Sequence, residues 1–514
     1  MSWRGGWMVS SLLVMGAGCG GALPGEEMSA PAEEAEERLD GSYCLPTEDS
    51  TQRVKTILPP SDIGLPRYAS SPNGFVSFKG QLHFAVNYED GKRALWRSNG
   101  TAAGTTEIKS LPATEGRFTP PLGKLTPTSS LLFFEAADVV HGTELWVSDG
   151  TSGGTRMVED LTPGTDSSYP THMTATGSGS VAFFLERYAP GSTRVRYELW
   201  ASDGSAGGTS RVRDFGADSE VSYLSGAADN TLRFFVRGLS GGTSLWKTDG
   251  TSAGTVQVKR LTSGPNAFIM NARTSDGLTL FILRQDSGLQ ELWKTDGTAG
   301  GTLRLASFGA TRDVRLLGAL GSTVYVTTTS LTTQYMVLYK VPLAGGNPAS
   351  VVSLPNDYTS QGEAFPYIDS VSIPPGGSKL FFSVIIGSNG PAPRDSQLWV
   401  TDGTAGGTVR LRRPLSLSDE YASPVYAVSD DLVFFSAYEA DGGGIEPWVS
   451  NGTPSGTRKL RDIADASSIT ASSYPRDYFR LGSRVYFSAY DDTEAGQLWS
   501  TQLSDACFAP QSRP

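Results

Sequence analysis

Short apolar runs alternate with glycine-rich turns along nearly the whole chain after about residue 50. Within 122–159 this pattern predicts four strands. They are a short Leu122–Leu125, then Leu131–Phe134, Glu144–Val147 and Arg156–Glu159. The second and third strands are apolar on both faces, which is typical of strands covered on both sides rather than of a half-exposed sheet.

The third strand and the turn after it recur along the chain. Close copies of 144–155 stand at 198–209, 244–255, 291–302 and 397–408, and looser copies at 94–105 and 446–457. One aromatic residue marks each unit, at intervals of 46 to 60 residues, which suits a four-stranded propeller blade. The nine positions are Trp96, Trp146, Trp200, Trp246, Trp293, Tyr339, Trp399, Trp448 and Trp499.

These repeats predict an all-β fold, a single closed β-propeller of about nine four-stranded blades. Nine exceeds the usual four to eight blades. Eight blades with one altered repeat, or two smaller rings, are therefore the alternatives.

The repeated letters Glu-Leu-Trp-x-x-Asp-Gly-Thr resemble the ELWxxDGT repeat, which is found in secreted and surface proteins of bacteria. The resemblance covers nearly all of the chain after about residue 50. It implies a β-propeller-like repeat domain outside the cytoplasm. It does not imply a settled biochemical activity.

The repeated aromatic residue has two interpretations, packing between blades and a stack for a ligand or cofactor. An aromatic in every unit favours packing, since a cofactor needs one site. The run Ala136-x-Asp138-x-x-His141-Gly142-x-x-x-Trp146 is similar to the tryptophan-docking motif of quinoprotein propellers, which implies that the tryptophan locks blade to blade. The paired neighbouring cysteines of those enzymes are absent, so no cofactor is predicted.

The Asp-Gly-Thr turn has a structural interpretation. Asp149 can accept hydrogen bonds from backbone amides two residues on, and Gly150 can adopt a positive φ without steric cost. Calcium binding is the alternative, but it needs six to eight oxygens and usually several carboxylates, and each copy has one. The equivalent turn residues are Asp203, Gly204, Asp249, Gly250, Asp296, Gly297, Asp402 and Gly403.

The ninth unit, 497–501, lacks both the turn and a fourth strand. A spare strand stands at the other end, because 51–58 resembles the fourth strand at 105–111. We therefore expect an N-terminal strand to complete the last blade and remove the open edges of the ring. Cys44 and Cys507 flank the two pieces that must meet, and we predict a disulfide between them; two free thiols are the alternative.

The N-terminus predicts export. Residues 1–18 have one positive charge, an apolar run and then small residues, as in a secretory signal peptide. Residues 14–19 resemble a bacterial lipobox, although Gly16 departs from the usual aliphatic residue, and Cys19 would carry the lipid. Gly20 after the cysteine favours the outer membrane or cell surface. Ordinary cleavage near Gly18 or Ala22, giving a secreted or periplasmic protein, is the alternative.

The domain boundaries follow from these segments. We expect a lipoprotein signal peptide at 1–18, an acidic flexible tether at 19–50, the repeat propeller at 51–507 and a short tail at 508–514. The tether contains glutamates among Ala, Pro and Ser, a composition that buries too little to offset chain entropy.

Composition excludes several classes of function. The 514 residues carry a net charge of −11 without a basic cluster, which argues against nucleic acid. His83, His141 and His172 stand in different units without partners at metal-ligand spacing. No Gly-x-Ser-x-Gly elbow in a strand–turn–helix context, no zinc-protease motif and no phosphate loop is present.

Two classes of function remain. We expect a lipid-anchored, monomeric surface module that binds an unknown protein or glycan. The alternative is an exported enzyme acting on glycans, because carboxylates recur near the second hairpin at 89–90, 439–441 and 491–494. The sixth unit, with Tyr339 and the longest following interval, is where we expect a ligand surface, at the insertions 356–364 and 388–394; a drifted blade is the alternative.

Overall fold

The structure is a computed structural model. It describes residues 45–60, 71–111, 122, 124–188, 195–238, 241–275, 277–361, 364–388, 390, 393–416, 424–439, 444–464 and 472–504. The described part contains 36 strands and two short 3₁₀ turns, Glu48–Ser50 and Thr359–Gln361.

The strands form nine antiparallel sheets of four strands each. Blade 1 comprises β2 Pro72–Phe78, β3 Gln81–Asn87, β4 Arg93–Ser98 and β5 Thr106–Leu111; blade 2 comprises β6 Thr126–Pro127, β7 Leu132–Asp138, β8 Gly142–Ser148 and β9 Arg156–Glu159; blade 3 comprises β10 Thr171–Ala175, β11 Val181–Tyr188, β12 Val195–Ser202 and β13 Ser210–Gly216. Blade 4 comprises β14 Ser219–Gly226, β15 Leu232–Gly238, β16 Gly242–Thr248 and β17 Val256–Arg260; blade 5 comprises β18 Phe268–Ser275, β19 Leu278–Arg284, β20 Gln290–Thr295 and β21 Leu303–Ser307; blade 6 comprises β22 Arg312–Leu320, β23 Thr323–Ser330, β24 Met336–Pro342 and β25 Ala349–Leu354. Blade 7 comprises β26 Pro366–Ser372, β27 Leu380–Ile386, β28 Asp395–Thr401 and β29 Val409–Arg412; blade 8 comprises β30 Tyr426–Ser429, β31 Leu432–Glu439, β32 Gly444–Ser450 and β33 Thr457–Lys459; blade 9 comprises β34 Arg476–Leu481, β35 Arg484–Tyr490, β36 Gly496–Gln502 and β1 Thr51–Lys55.

The sheets are the blades of a nine-bladed propeller, which confirms the predicted fold class and excludes eight blades or two rings. Blades 1 to 8 each run from an inner strand to an outer strand in chain order, and blade 9 takes its outer strand, β1, from the N-terminal end. Nine apolar clusters lie between successive blades, one at each junction around the ring. The second and third strands of each blade are covered on both faces because a neighbouring blade packs on each side, as the apolar pattern predicts.

Blade 9 is completed by the N-terminal strand. β1 pairs antiparallel with β36, and Thr51 lies opposite Thr501. The buried hydroxyl of Thr51 donates to Thr501 Oγ1 at 2.9 Å. Arg53 forms an ion pair with the buried Asp491, Nη1 to Oδ2 2.8 Å. Ahead of β1, Leu45 is already packed with Leu503 in the cluster between blades 8 and 9.

One expected strand is wrong in position. In blade 2 the inner strand is β6, Thr126–Pro127, and not Leu122–Leu125. Leu122 and Leu125 are buried in the cluster between blades 1 and 2. Their apolar character therefore reflects packing of the connection between blades, not strand pairing.

The antiparallel order gives the ring two different faces. The hairpins from inner to second strand and the Asp-Gly-Thr turns from third to outer strand lie at one end of each sheet, here called the motif face. The hairpins from second to third strand and the connections between blades lie at the other end, here called the connector face.

Candidate functional site

All nine repeated aromatic residues lie at junctions between blades. Each belongs to the cluster formed with the preceding blade; Trp146, for example, packs with Phe78 and Leu95 of blade 1. Five of the nine are buried, namely Trp96, Trp146, Trp399, Trp448 and Trp499, and the other four are partly buried.

Cations from the preceding blade cover several of these rings. Arg412 lies 4.1 Å from the ring centroid of Trp448, and Arg213 lies 4.5 Å from that of Trp246. Lys55 of β1 lies 5.9 Å from the centroid of Trp96 and donates to the carbonyl of Thr105 at 2.7 Å. These cation–π contacts add directional contacts between blades.

The Asp-Gly-Thr turns are closed by their own side chains. Asp149 Oδ1 accepts from the backbone N–H and the hydroxyl of Thr151 at 2.8 and 2.7 Å, and Thr151 Oγ1 accepts from Gly154 N at 3.0 Å. Gly150 has φ +92°. A Cβ at Gly154 would lie 2.1 Å from Asp149 Oδ1, so the motif requires glycine there. The turns at Asp203, Asp249, Asp296 and Asp402 repeat this arrangement.

The glutamate two residues before the tryptophan has a role that the sequence did not reveal. Glu144 is fully buried. Its two carboxylate oxygens accept from the backbone N–H groups of Leu161 at 3.0 Å and Ser168 at 3.1 Å, at the two ends of the connection to blade 3. Burial raises the pKa of Glu144 to about 7, and the donors from Ser168 and Leu161 lower it in part.

The same glutamate repeats this arrangement in blade 8 and has other partners in blade 3. Glu446 accepts from Ile463 N at 2.9 Å and Ser473 N at 3.0 Å, and burial raises its pKa to about 8. Glu198 is instead paired with Arg211 at 2.8 Å and accepts the indole N–H of Trp200 at 3.0 Å. In blade 9, Gln497 Oε1 accepts from Ile57 N at 2.7 Å, which fixes the chain where it leaves β1.

The insertions after Tyr339 both lie on the connector face. The described residues 356–361 and 364 belong to the connection from blade 6 to blade 7. Residues 388, 390, 393 and 394 belong to the hairpin between β27 and β28. Asn356 fixes the first insertion through its Nδ2 group, which donates to the carbonyls of Gln334 and Ala364 at 3.1 and 2.8 Å. Tyr339 itself packs on Phe308 of the preceding blade.

Exposed apolar side chains concentrate on the same face. Eight large apolar residues are exposed in the part of the chain that the structure describes, and six of them lie on the connector face. The six are Val139, Val140, Tyr169, Tyr188, Leu331 and Tyr335. The other two, Val256 and Leu303, begin outer strands.

A cleft of about 670 Å³ opens on the connector face between blades 2 and 3. Its walls are the hairpin after β7, the connection held by Glu144, and the end of β11. Tyr169, Tyr188, Asp166 and Glu186 line it, with hydroxyls from Ser and Thr. Arg187 also lines it, but its guanidinium is held by Glu198 at 3.3 Å and by the carbonyl of Leu161 at 2.7 Å.

Asp138 and His141 form a pair at the edge of this cleft, Oδ2 to Nδ1 2.9 Å. Burial acts to raise the pKa of Asp138, but hydrogen bonds from His141 and Val140 outweigh it, so this pKa is lowered. The bond to Asp138 raises the pKa of His141. The other two histidines lie apart: His83 packs edge-on against Phe78, and His172 is on β10 with φ +54°.

The carboxylates noted near other second hairpins are held in structural contacts. Asp491 binds Arg53 and accepts from Thr493 N at 3.0 Å. Glu439 lies 2.6 Å from Lys459 Nζ. Among the described residues, no group of three or more His, Cys, Asp or Glu could hold a metal ion, and no described helix is long and apolar enough to cross a membrane. Cys19, Cys44 and Cys507 lie outside the described residues, so the lipid site and the Cys44–Cys507 disulfide stay predictions.

No protein-family model matches the chain, and a search of curated proteins found no match. Solved structures with a similar fold include a puromycin-hydrolyzing peptidase of Mycobacterium tuberculosis, with 15% identity, a TM-score of 0.44, and coverage of 87% of this chain and 61% of that one. Prolyl oligopeptidase B from Galerina marginata has 12% identity and a TM-score of 0.45, with 82% and 60% covered. The propeller domain of the trilobed protease from Pyrococcus furiosus has 12% identity and a TM-score of 0.35, with 68% and 99% covered. The chain thus spans about three fifths of the length of the two peptidases, and the likeness concerns the fold alone.

Proposed function

We propose that this protein is an exported, lipid-anchored surface module that binds its ligand with the connector face. The observation that carries the proposal is that six of the eight exposed large apolar residues in the described part of the chain lie on that face. Exposed apolar groups that gather on one surface mark interaction sites. The open cleft and both insertions lie on the same face.

The positions of the chain ends support this orientation. β1 starts and β36 finishes at the motif face, where Thr51 lies opposite Thr501. The predicted tether at 19–50, with a lipid on Cys19, would therefore approach the ring from the motif face. The connector face would then point away from the membrane, toward ligands outside the cell.

The proposal is tested on cells that display the full chain. Adhesion to immobilised neutral polysaccharides and extracellular proteins is measured for the parent and for a triple variant, Tyr188→Ser, Leu331→Ser and Tyr335→Ser. The triple variant should lose at least about tenfold in binding, because its apolar contacts are removed. The matched control, Val256→Ser with Leu303→Ser, removes exposed apolar groups outside the connector face and should bind as the parent does.

Two outcomes would contradict the proposal. One is binding that survives the triple variant but fails in the control. The other is a mature N-terminus that mass spectrometry places after Cys19 with a free amine, which would remove the anchor.

An exported enzyme acting on glycans is the second candidate, favoured by the carboxylates Asp138, Asp166 and Glu186 around one cleft. A glycosidase needs one carboxyl group with a raised pKa to act as general acid. The pKa of Asp138 is lowered instead, so Asp138 does not fit that role. The exposed apolar residues of the connector face favour binding. Hydrolysis of a glycan that Glu186→Gln abolishes without loss of binding would reverse this preference.

A further inference from the structure

Two connections between blades share a four-residue sequence, and one of them forms a wall of the cleft. The letters Ser-Ser-Tyr-Pro occur at 167–170, before blade 3, and again at 472–475, before blade 9. In both copies the tyrosine has a positive φ, 47° for Tyr169 and 43° for Tyr474. In both copies a buried glutamate of the preceding blade, Glu144 or Glu446, accepts from the second serine N–H. The two connections are therefore built alike.

The two copies differ in the residue that lies opposite the tyrosine. Phe183 pairs with Trp200 in blade 3, and Phe487 pairs with Trp499 in blade 9. Three residues after these phenylalanines stand Glu186 and the buried Tyr490. Tyr474 packs edge-on against Tyr490, with ring centroids 6.4 Å apart. In blade 3 a carboxylate replaces that ring, and Tyr169 is left 44% exposed beside Tyr188, which is 72% exposed.

A positive φ at a non-glycine residue is strained and persists where the surroundings enforce it. Before blade 9 this conformation packs Tyr474 against Tyr490. Before blade 3 the same conformation presents a ring to an open cleft of about 670 Å³, within the range of about 300–1,000 Å³ typical of ligand sites. This departure from the repeat indicates a site for a ligand.

The lining residues define the chemistry of that ligand. Asp166 and Glu186 repel anions, and the one guanidinium among the described lining residues, that of Arg187, already binds Glu198 and Leu161. Ser167 Oγ accepts from Thr143 N at 2.9 Å and Thr162 Oγ1 accepts from Arg187 at 3.0 Å. Each hydroxyl that accepts in this way can still donate its own proton.

The cleft thus offers acceptors on carboxylates, donors on hydroxyls, and two exposed aromatic rings. A sugar hydroxyl both donates and accepts, and the C–H face of a pyranose packs on a flat ring. An ammonium group only donates and would use the carboxylates alone. Building on the function proposed above, we infer that the cleft between blades 2 and 3 binds a neutral sugar residue of a glycan, with Tyr188 and Tyr169 against the ring and Glu186 accepting from its hydroxyls.

Isothermal titration calorimetry on the full mature chain tests this inference. The probes are maltohexaose, cellohexaose and chitohexaose as neutral glycans, and hexalysine as a cationic peptide. At least one glycan should bind, and Tyr188→Ala should weaken that binding by at least about tenfold, as expected for loss of an aromatic platform. Glu186→Gln should also weaken it, because a charged acceptor becomes a neutral amide.

Val256→Ser with Leu303→Ser is the matched control, because it removes exposed apolar groups outside the connector face and should leave glycan affinity unchanged. Tyr335→Ala, in blade 6, tests whether the rest of the connector face contributes to binding. The inference is overturned if no glycan binds, if Tyr188→Ala binds as tightly as the parent, or if hexalysine binds and displaces the glycan. Glycan binding that Tyr335→Ala weakens and Tyr188→Ala does not would leave the connector face as the binding face and remove only the cleft assignment. Glycan binding lost in the Val256→Ser and Leu303→Ser control would remove both.

Discussion

Replacement of Glu446 by glutamine should change how the stability of the ring depends on pH. The carboxylate is fully buried, forms no ion pair with a described residue, and holds the connection between blades 8 and 9 through Ile463 and Ser473. Burial raises its pKa from 4.5 to about 8. The folded chain therefore holds the proton more tightly than the unfolded chain does, and the stability from this site is complete below pH 4.5 and lost as the pH rises through about 8.

The size of the effect follows from the two pKa values. Each pH unit between them changes the free energy of unfolding by about 1.4 kcal/mol, so the whole interval is on the order of 5 kcal/mol. About 3 kcal/mol of this falls between about pH 5.5 and pH 9. An amide does not titrate, so Glu446→Gln removes the dependence. Gln497 shows that an amide can hold such a connection, since its Oε1 accepts from Ile57 N and Leu58 N at 2.7 and 3.2 Å.

Urea unfolding followed by tryptophan fluorescence at the two pH values measures the effect. The free energy of unfolding of Glu446→Gln, relative to that of the parent, should be several kcal/mol greater at the higher pH than at the lower pH. Glu198→Gln is the control, because Glu198 is paired with Arg211 and its replacement should cost stability at both pH values. A difference between Glu446→Gln and the parent that is the same at both pH values would refute the reasoning.

Three further outcomes are expected. Trp146→Ala should lower the free energy of unfolding in urea by about 3–5 kcal/mol, because a large buried ring is removed from a blade junction. Unchanged stability with lost ligand binding would instead support the interpretation of this tryptophan as a stack for a ligand. Gln497→Ala should lower the melting temperature and increase proteolysis at the N-terminal strand, whereas the exposed Tyr335→Ala should not. Non-reducing peptide mapping of the exported protein should find Cys44 bonded to Cys507, and two free thiols would reject the disulfide.

The period of the repeats was enough to predict the ring and its closure. One aromatic residue per unit fills one junction, and 51–58 matches an outer strand, so both inferences depend on local pattern alone. The inner strand of blade 2 was misplaced because Leu122 and Leu125 are apolar for packing, while pairing falls on Thr126–Pro127.

The cleft could not be predicted from the repeats, because it is formed by residues that differ between the units. The role of Glu144 involves a connection whose length and letters vary between units, so no periodic signal marks it. Tyr169 is exposed in a blade where Glu186 stands at the position of the buried Tyr490 of blade 9. A comparison of the two Ser-Ser-Tyr-Pro copies would have been the one available signal.

Closure of the ring by its first strand has a consequence for the order of folding. Thr51 and Thr501 are 450 residues apart, and at about 5–20 residues per second a ribosome makes the partner strand roughly 20–90 s after the first. Blades 1 to 8 can pack in succession as they are made, but β1 must wait with its backbone groups unpaired. During that interval the β1 of one chain can pair with the β36 of another. Strand-exchanged dimers are therefore the expected by-product when many copies fold together. Such dimers would contain every contact of the closed ring, but the β1 of each ring would come from the other chain.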